Sequence, residues 1–143
     1  MGLDAAVYRS LKDLPEYLRE RVTVYPESGE ISFRDIGDYK LFGLSKLKAW
    51  HEHIGNIAMV AFIREEVAKA FGDRESLLSK KVVYSGIHAG DHIPFSRIAD
   101  LSREIDELEE RTSSSRSPEL TNFIVQMRNL IAAANREGNA IVF

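Results

Sequence analysis

Short apolar runs bounded by turn residues alternate along the chain with longer stretches in which apolar side chains recur every three or four positions, so strands and amphipathic helices are both expected. Leu3 to Tyr8 is short and apolar, is bounded by Arg9-Ser10, and reads as a strand. Val22-Thr23-Val24-Tyr25 and Glu30-Ile31-Ser32-Phe33 flank Pro26-Glu27-Ser28-Gly29 and predict a hairpin, with Val22, Val24, Ile31 and Phe33 turned inward by the period of two. Arg34 to Gly43 follows neither period and reads as an irregular connection.

Leu44 to Phe71 contains no proline and is followed by Gly72. At about 100° per residue, Leu47, Trp50, Ile54, Ile57, Ala58, Ala61 and Phe62 form one apolar stripe, with Val60, Ile63, Val67 and Phe71 on a second flank. The pattern predicts one central helix, with Ser45 as its cap and Gly72 as its stop; Gly55 inside it would cost about 1 kcal/mol relative to alanine. Lys80 to Tyr84 reads as an inner strand leading into the glycine-rich turn Ser85 to His92. Pro94 and Ser96 announce a helix with Ile98, Leu101, Ile105 and Leu108 on one face, and Ser117-Pro118 opens another that Gly138 ends. Ala140 to Phe143 reads as a closing strand. The expected fold class is α+β: a single domain over residues 1–143, two-layered, with a small mixed sheet covered by three helices.

Composition narrows the chemistry. The absence of cysteine removes thiol nucleophiles, disulfides and thiolate metal sites. A formal charge of -3 gives no bulk reason for nucleic acid or an anionic membrane as partner, no apolar run is long enough for a membrane span, and Met1 to Arg9 has no basic leader pattern. The chain therefore reads as cytoplasmic. Lys80, Lys81, Arg97 and Arg103 could form a basic patch but lack interleaved aromatics.

The four histidines fall in two groups, His51 with His53 and His88 with His92. On a continuous helix, residues two apart point about 200° apart, so His51 and His53 could not share a ligand. One of them, His51 in the first instance, could join His88, Asp91 and His92 as a ligand or metal site, the basis for reading the chain as a small metal-dependent hydrolase. Ser85, His88 and Asp91 could also supply a nucleophile, base and acid, although only geometry identifies such a set. No cofactor signature is present, and the preferred reading assigns neither a catalytic residue nor a metal. The helix from Ile98 carries a face of carboxylates, among them Asp100, Glu104 and Glu107, suited to steering a basic protein partner.

Met1-Gly2-Leu3-Asp4, Gly55-Asn56-Ile57-Ala58, Tyr84-Ser85-Gly86-Ile87-His88-Ala89-Gly90-Asp91 and Gly138-Asn139-Ala140-Ile141-Val142-Phe143 resemble recurring blocks of a family of small bacterial and phage proteins. The resemblance spans nearly the whole chain and implies no catalytic residue, cofactor or substrate. In size and charge the chain is similar to immunity and antitoxin proteins, which bind and block a toxin enzyme. The function expected is thus non-enzymatic protein binding, in its most concrete form inhibition of a toxin enzyme through a basic domain of that enzyme.

Overall fold

The computed structural model describes all residues 1–143. Strand β1 (Gly2–Tyr8) lies inside a four-stranded sheet of order β4-β1-β6-β5, in which β4 is Lys48–Asn56, β5 is His92–Ile93 and β6 is Ile141–Val142. All three pairings in that sheet are antiparallel. The expected hairpin is present as a separate two-stranded sheet, β2 (Val22–Val24) with β3 (Ile31–Phe33). Where three helices were expected, three long ones, α3 (Ile57–Phe71), α4 (Ile98–Arg111) and α5 (Pro118–Glu137), are joined by two short ones, α1 (Glu16–Arg19) and α2 (Ile36–Phe42).

Alternation along β1 builds two cores. Leu3, Ala5 and Val7 point into the larger one, where they meet Val60, Ile63 and Val67 of α3, Leu101 and Ile105 of α4, and Phe123, Met127 and Leu130 of α5. Ala6 and Tyr8, on the opposite face, join Val142 in a smaller core closed by Leu14, Leu18, Val22, Ile31 and Leu47. The two expected layers are therefore extended by a third, partial one made of α1 and the hairpin. No helix is long and apolar enough to cross a membrane.

The largest departure from expectation lies between Leu44 and Phe71. In place of one helix, the chain forms a short 3-10 turn at Leu44–Lys46, the nine-residue strand β4, and only then α3. Asn56 is the hinge: its backbone is extended and its side-chain oxygen accepts from Met59 N at 2.8 Å, which starts α3 there. Gly55 precedes it with φ +157°, and a Cβ at that position would lie 2.6 Å from Met59 Cγ. Two residues of β4 interrupt the pairing with β1, one between the partners of Leu3 and Asp4 and one between those of Val7 and Tyr8. These bulges suit an edge strand, which they protect against pairing with foreign strands. Lys80 to Tyr84 likewise does not form a strand; residues Leu78–Val82 make a wide helical turn. The cap positions at Ser117, Pro118, Gly72 and Gly138 are occupied as expected.

An Asn56→Ala variant separates the two descriptions of this segment. At the observed N-cap, the substitution should cost about 1 kcal/mol in urea unfolding; inside a continuous helix, it would leave stability unchanged or raise it by about 0.5 kcal/mol.

Candidate functional site

Because residues 48–56 are extended, His51 and His53 share one face of β4, whereas a helix would have set them apart. Asp4 faces them from β1: His53 Nδ1 lies 2.8 Å and His51 Nε2 3.7 Å from its Oδ1, with all three side chains about half exposed. The other two histidines do not join them. His51, Ala6, Val142 and His92 are successive partners across the four strands. With strands roughly 4.8 Å apart, His51 and His92 stand about 14 Å from each other, at opposite edges of the sheet. No group of three or more histidine, aspartate or glutamate side chains is arranged to hold a metal ion. The set His51, His88, Asp91 and His92 is thus not assembled as one centre.

His88 and Asp91 do meet, and their geometry braces the turn. The His88 side chain is only 6% exposed. Its Nε2 is 2.8 Å from the Val82 carbonyl, and its Nδ1 lies 3.0 Å from Asp91 Oδ2, in ion-pair range although out of line for a hydrogen bond. The ring is stacked on Tyr84 at 4.4 Å and tilted against Phe143 at 5.5 Å between centroids. A general base must offer a ring nitrogen to a substrate, and here one nitrogen is bound to backbone and the other is buried beside a carboxylate. Tyr84 Oη donates to Asp91 Oδ2. That bond, aided by the nearby His88, holds the Asp91 carboxyl below its ordinary range and pushes the Tyr84 hydroxyl up. Gly90 N donates to Phe143 O at 2.7 Å and Phe143 N to Asp91 O at 2.8 Å, so the turn is stapled to the chain after β6. Ser85 Oγ accepts from Ile87 N and shapes the same turn. His92 occupies β5, half-buried beside Gly90.

Apart from Glu110, the carboxylates on α4 are already matched. Asp100 pairs with Arg97 at 2.7 Å and with Arg103, and Glu107 pairs with Arg74 at 2.7 Å and Arg111 at 2.8 Å. Glu104 binds backbone instead of arginine. Its two oxygens accept from Leu77 N and Leu78 N at 2.9 and 3.1 Å, capping the wide turn that stands where a strand was expected. Asp106 and Glu109 share Arg128 from α5. This face is a net of internal ion pairs tying α4 to its neighbours.

Sequence reasoning missed α2. Asp35 caps it by accepting from Gly37 N at 2.6 Å and Gly43 ends it with φ +77°, both recognisable signals around too few residues for a period to show. None of its seven residues is buried. Ile36 is 73%, Tyr39 49% and Leu41 74% exposed. Phe42 turns toward Phe33 and Tyr17, and Asp38 binds Arg21 at 3.0 Å, which fixes the inward side. At about 100° per residue, Ile36 and Lys40 then face outward, while Tyr39 and Leu41 stand on opposite flanks, both exposed.

Comparison of the chain with family profiles, with curated proteins and with solved structures finds no match.

Two measurements follow from these contacts. Glu104→Ala should cost about 2 kcal/mol in chemical unfolding, because two backbone donors lose a charged acceptor, whereas Asp100→Ala, at a surface ion pair, should cost less than about 1 kcal/mol. For Asp91, the folded-state value is depressed, so its contribution is present above the unfolded value and lost as pH falls through the folded one. The stability advantage of the native chain over Asp91→Asn should therefore be full above about pH 5 and shrink below about pH 4 in urea titrations.

Proposed function

We propose that this chain is a non-enzymatic protein-binding domain, of the kind represented by immunity or antitoxin inhibitors, and that it docks through the exposed side chains of α2. The observation that carries the reading is that α2 buries none of its residues while holding Ile36, Tyr39 and Leu41 to solvent. Scattered single apolar residues are ordinary on a protein surface, but a capped helix that contributes several of them together costs solubility and is the usual mark of a contact site. Tyrosine and large aliphatic side chains are also suited to the centre of an interface.

Asp100, Glu104 and Glu107 were the sequence-based choice for the contact. Their arginine and backbone partners leave them little unsatisfied charge to offer. Lys40 lies on the outward half of α2 and makes no ion pair, so the surface that fits α2 is apolar and edged by carboxylates rather than strongly basic. The hydrolase reading centred on His88, Asp91 and His92 gains no support from a histidine whose ring nitrogens are both turned inward.

Where an adjoining reading frame encodes an enzyme, that enzyme is the test partner. The native chain should form a stoichiometric complex with it and suppress its activity. An Ile36→Asp/Leu41→Asp variant should keep its unfolding free energy within about 0.5 kcal/mol, since neither side chain is buried, yet bind at least tenfold more weakly, roughly the effect of losing a central anchor. Absence of a complex, or unchanged affinity in the double variant, would count against the proposal.

A further inference from the structure

Where β4 gives way to α3, the start of α5 stands opposite and leaves a cavity of about 510 Å³, inside the range of roughly 300–1,000 Å³ typical of small-ligand sites. Its floor is apolar: Ile54, Ile63 and Phe123 are buried, and Met59 lies partly buried against the main core. On the β4 side Gly55 leaves room for the Met59 side chain, which a Cβ there would meet. The rim is polar and rich in acceptors. Glu119 makes no ion pair and is the one carboxylate on the cavity lining. His53 also lines it, its Nδ1 2.8 Å from Asp4 Oδ1. Asn122 adds an amide oxygen at the exposed edge.

We infer that this cavity binds a small primary ammonium ion carrying an aliphatic or aryl-alkyl body. An ammonium group has three donors and no acceptor, and the rim supplies the Glu119 carboxylate and the Asn122 amide oxygen to meet them. The apolar body covers Met59, Ile63 and Phe123, where the thioether and the ring favour contact with a flat or flexible hydrocarbon. A neutral molecule forgoes the charge-assisted hydrogen bond that the exposed Glu119 offers an ammonium. The site is separate from α2 and does not depend on the docking reading. A free amine and a lysine side chain on another protein share this chemistry.

Amide chemical-shift titrations of the full chain test the inference, with phenethylamine, 2-phenylethanol and Nα-acetyl-lysine methylamide as probes. Phenethylamine should produce saturable shifts confined to His53–Met59 and Pro118–Phe123, with a dissociation constant on the order of 1 mM for so small a ligand. It should bind about tenfold more tightly than the alcohol, as one charge-assisted hydrogen bond predicts. Glu119→Gln, on the exposed first turn of α5, should erase that preference while leaving the spectrum otherwise native. Tighter binding of the lysine derivative, again dependent on Glu119, would assign the same chemistry to a partner's side chain. No saturable shift, equal binding of the alcohol, or an amine preference that survives Glu119→Gln would overturn the inference.

Discussion

Strand β1 depends on hydrogen-bonded neighbours along both edges, and the rest of the molecule is arranged around that requirement. Its side chains are buried on both faces from Ala5 to Tyr8, so a backbone left unpaired on either edge would carry several unsatisfied polar groups into a dry interior. β6 supplies one edge and β4 the other. The demand on residues 48–56 to serve as that second partner overrides their helical periodicity. Once they are extended, the chain must turn at Gly55-Asn56 to bring α3 back over Leu3, Ala5 and Val7.

The same constraint decides what the histidines can do. An extended β4 lets His51 and His53 face Asp4 together, and the strand order sends His92 to the far edge. His88 is used within the turn, where the Val82 carbonyl, Asp91 and two aromatic rings enclose it. Residues with the chemical character of a catalytic centre thus serve to hold the glycine-rich turn against β6. Apart from Glu110, the carboxylates of α4 are occupied similarly, by arginines and by the backbone at Leu77 and Leu78. Apolar surface on α2 and a cavity beside Asn56 are among the features left unoccupied.

Elements with one unambiguous signal were legible in the residues: the short apolar run of β1, the hairpin around Pro26 to Gly29, the narrow stripe of α4, and α5 between Ser117-Pro118 and Gly138. Segments with two compatible signals were not. Trp50 and Ile54 sit on a helical stripe with Leu47 and Ile57, and Gly55-Asn56 fits equally an interruption tolerated by packing and a strand end with an N-cap. Lys80 to Tyr84 has the β-rich composition of a strand, yet its shape is set by Glu104, 26 residues away from Leu78, and no local pattern reports such a bond. α2 is too short for periodicity. Of the candidate site, His88 and Asp91 were grouped as neighbours in one turn, with their contact left to the geometry, whereas the pairing of Asp4 with His51 and His53 required the register of β1 against β4.

Amide hydrogen exchange across residues 48–56 reaches the central claim most directly. An edge strand bonds to its single neighbour through alternate residues, so amides turned toward β1 should exchange slowly and those turned to solvent quickly, with protection becoming continuous a few residues into α3. Uniform protection from Lys48 through Phe71, without alternation and without a break at Asn56, would show a continuous helix and contradict the account.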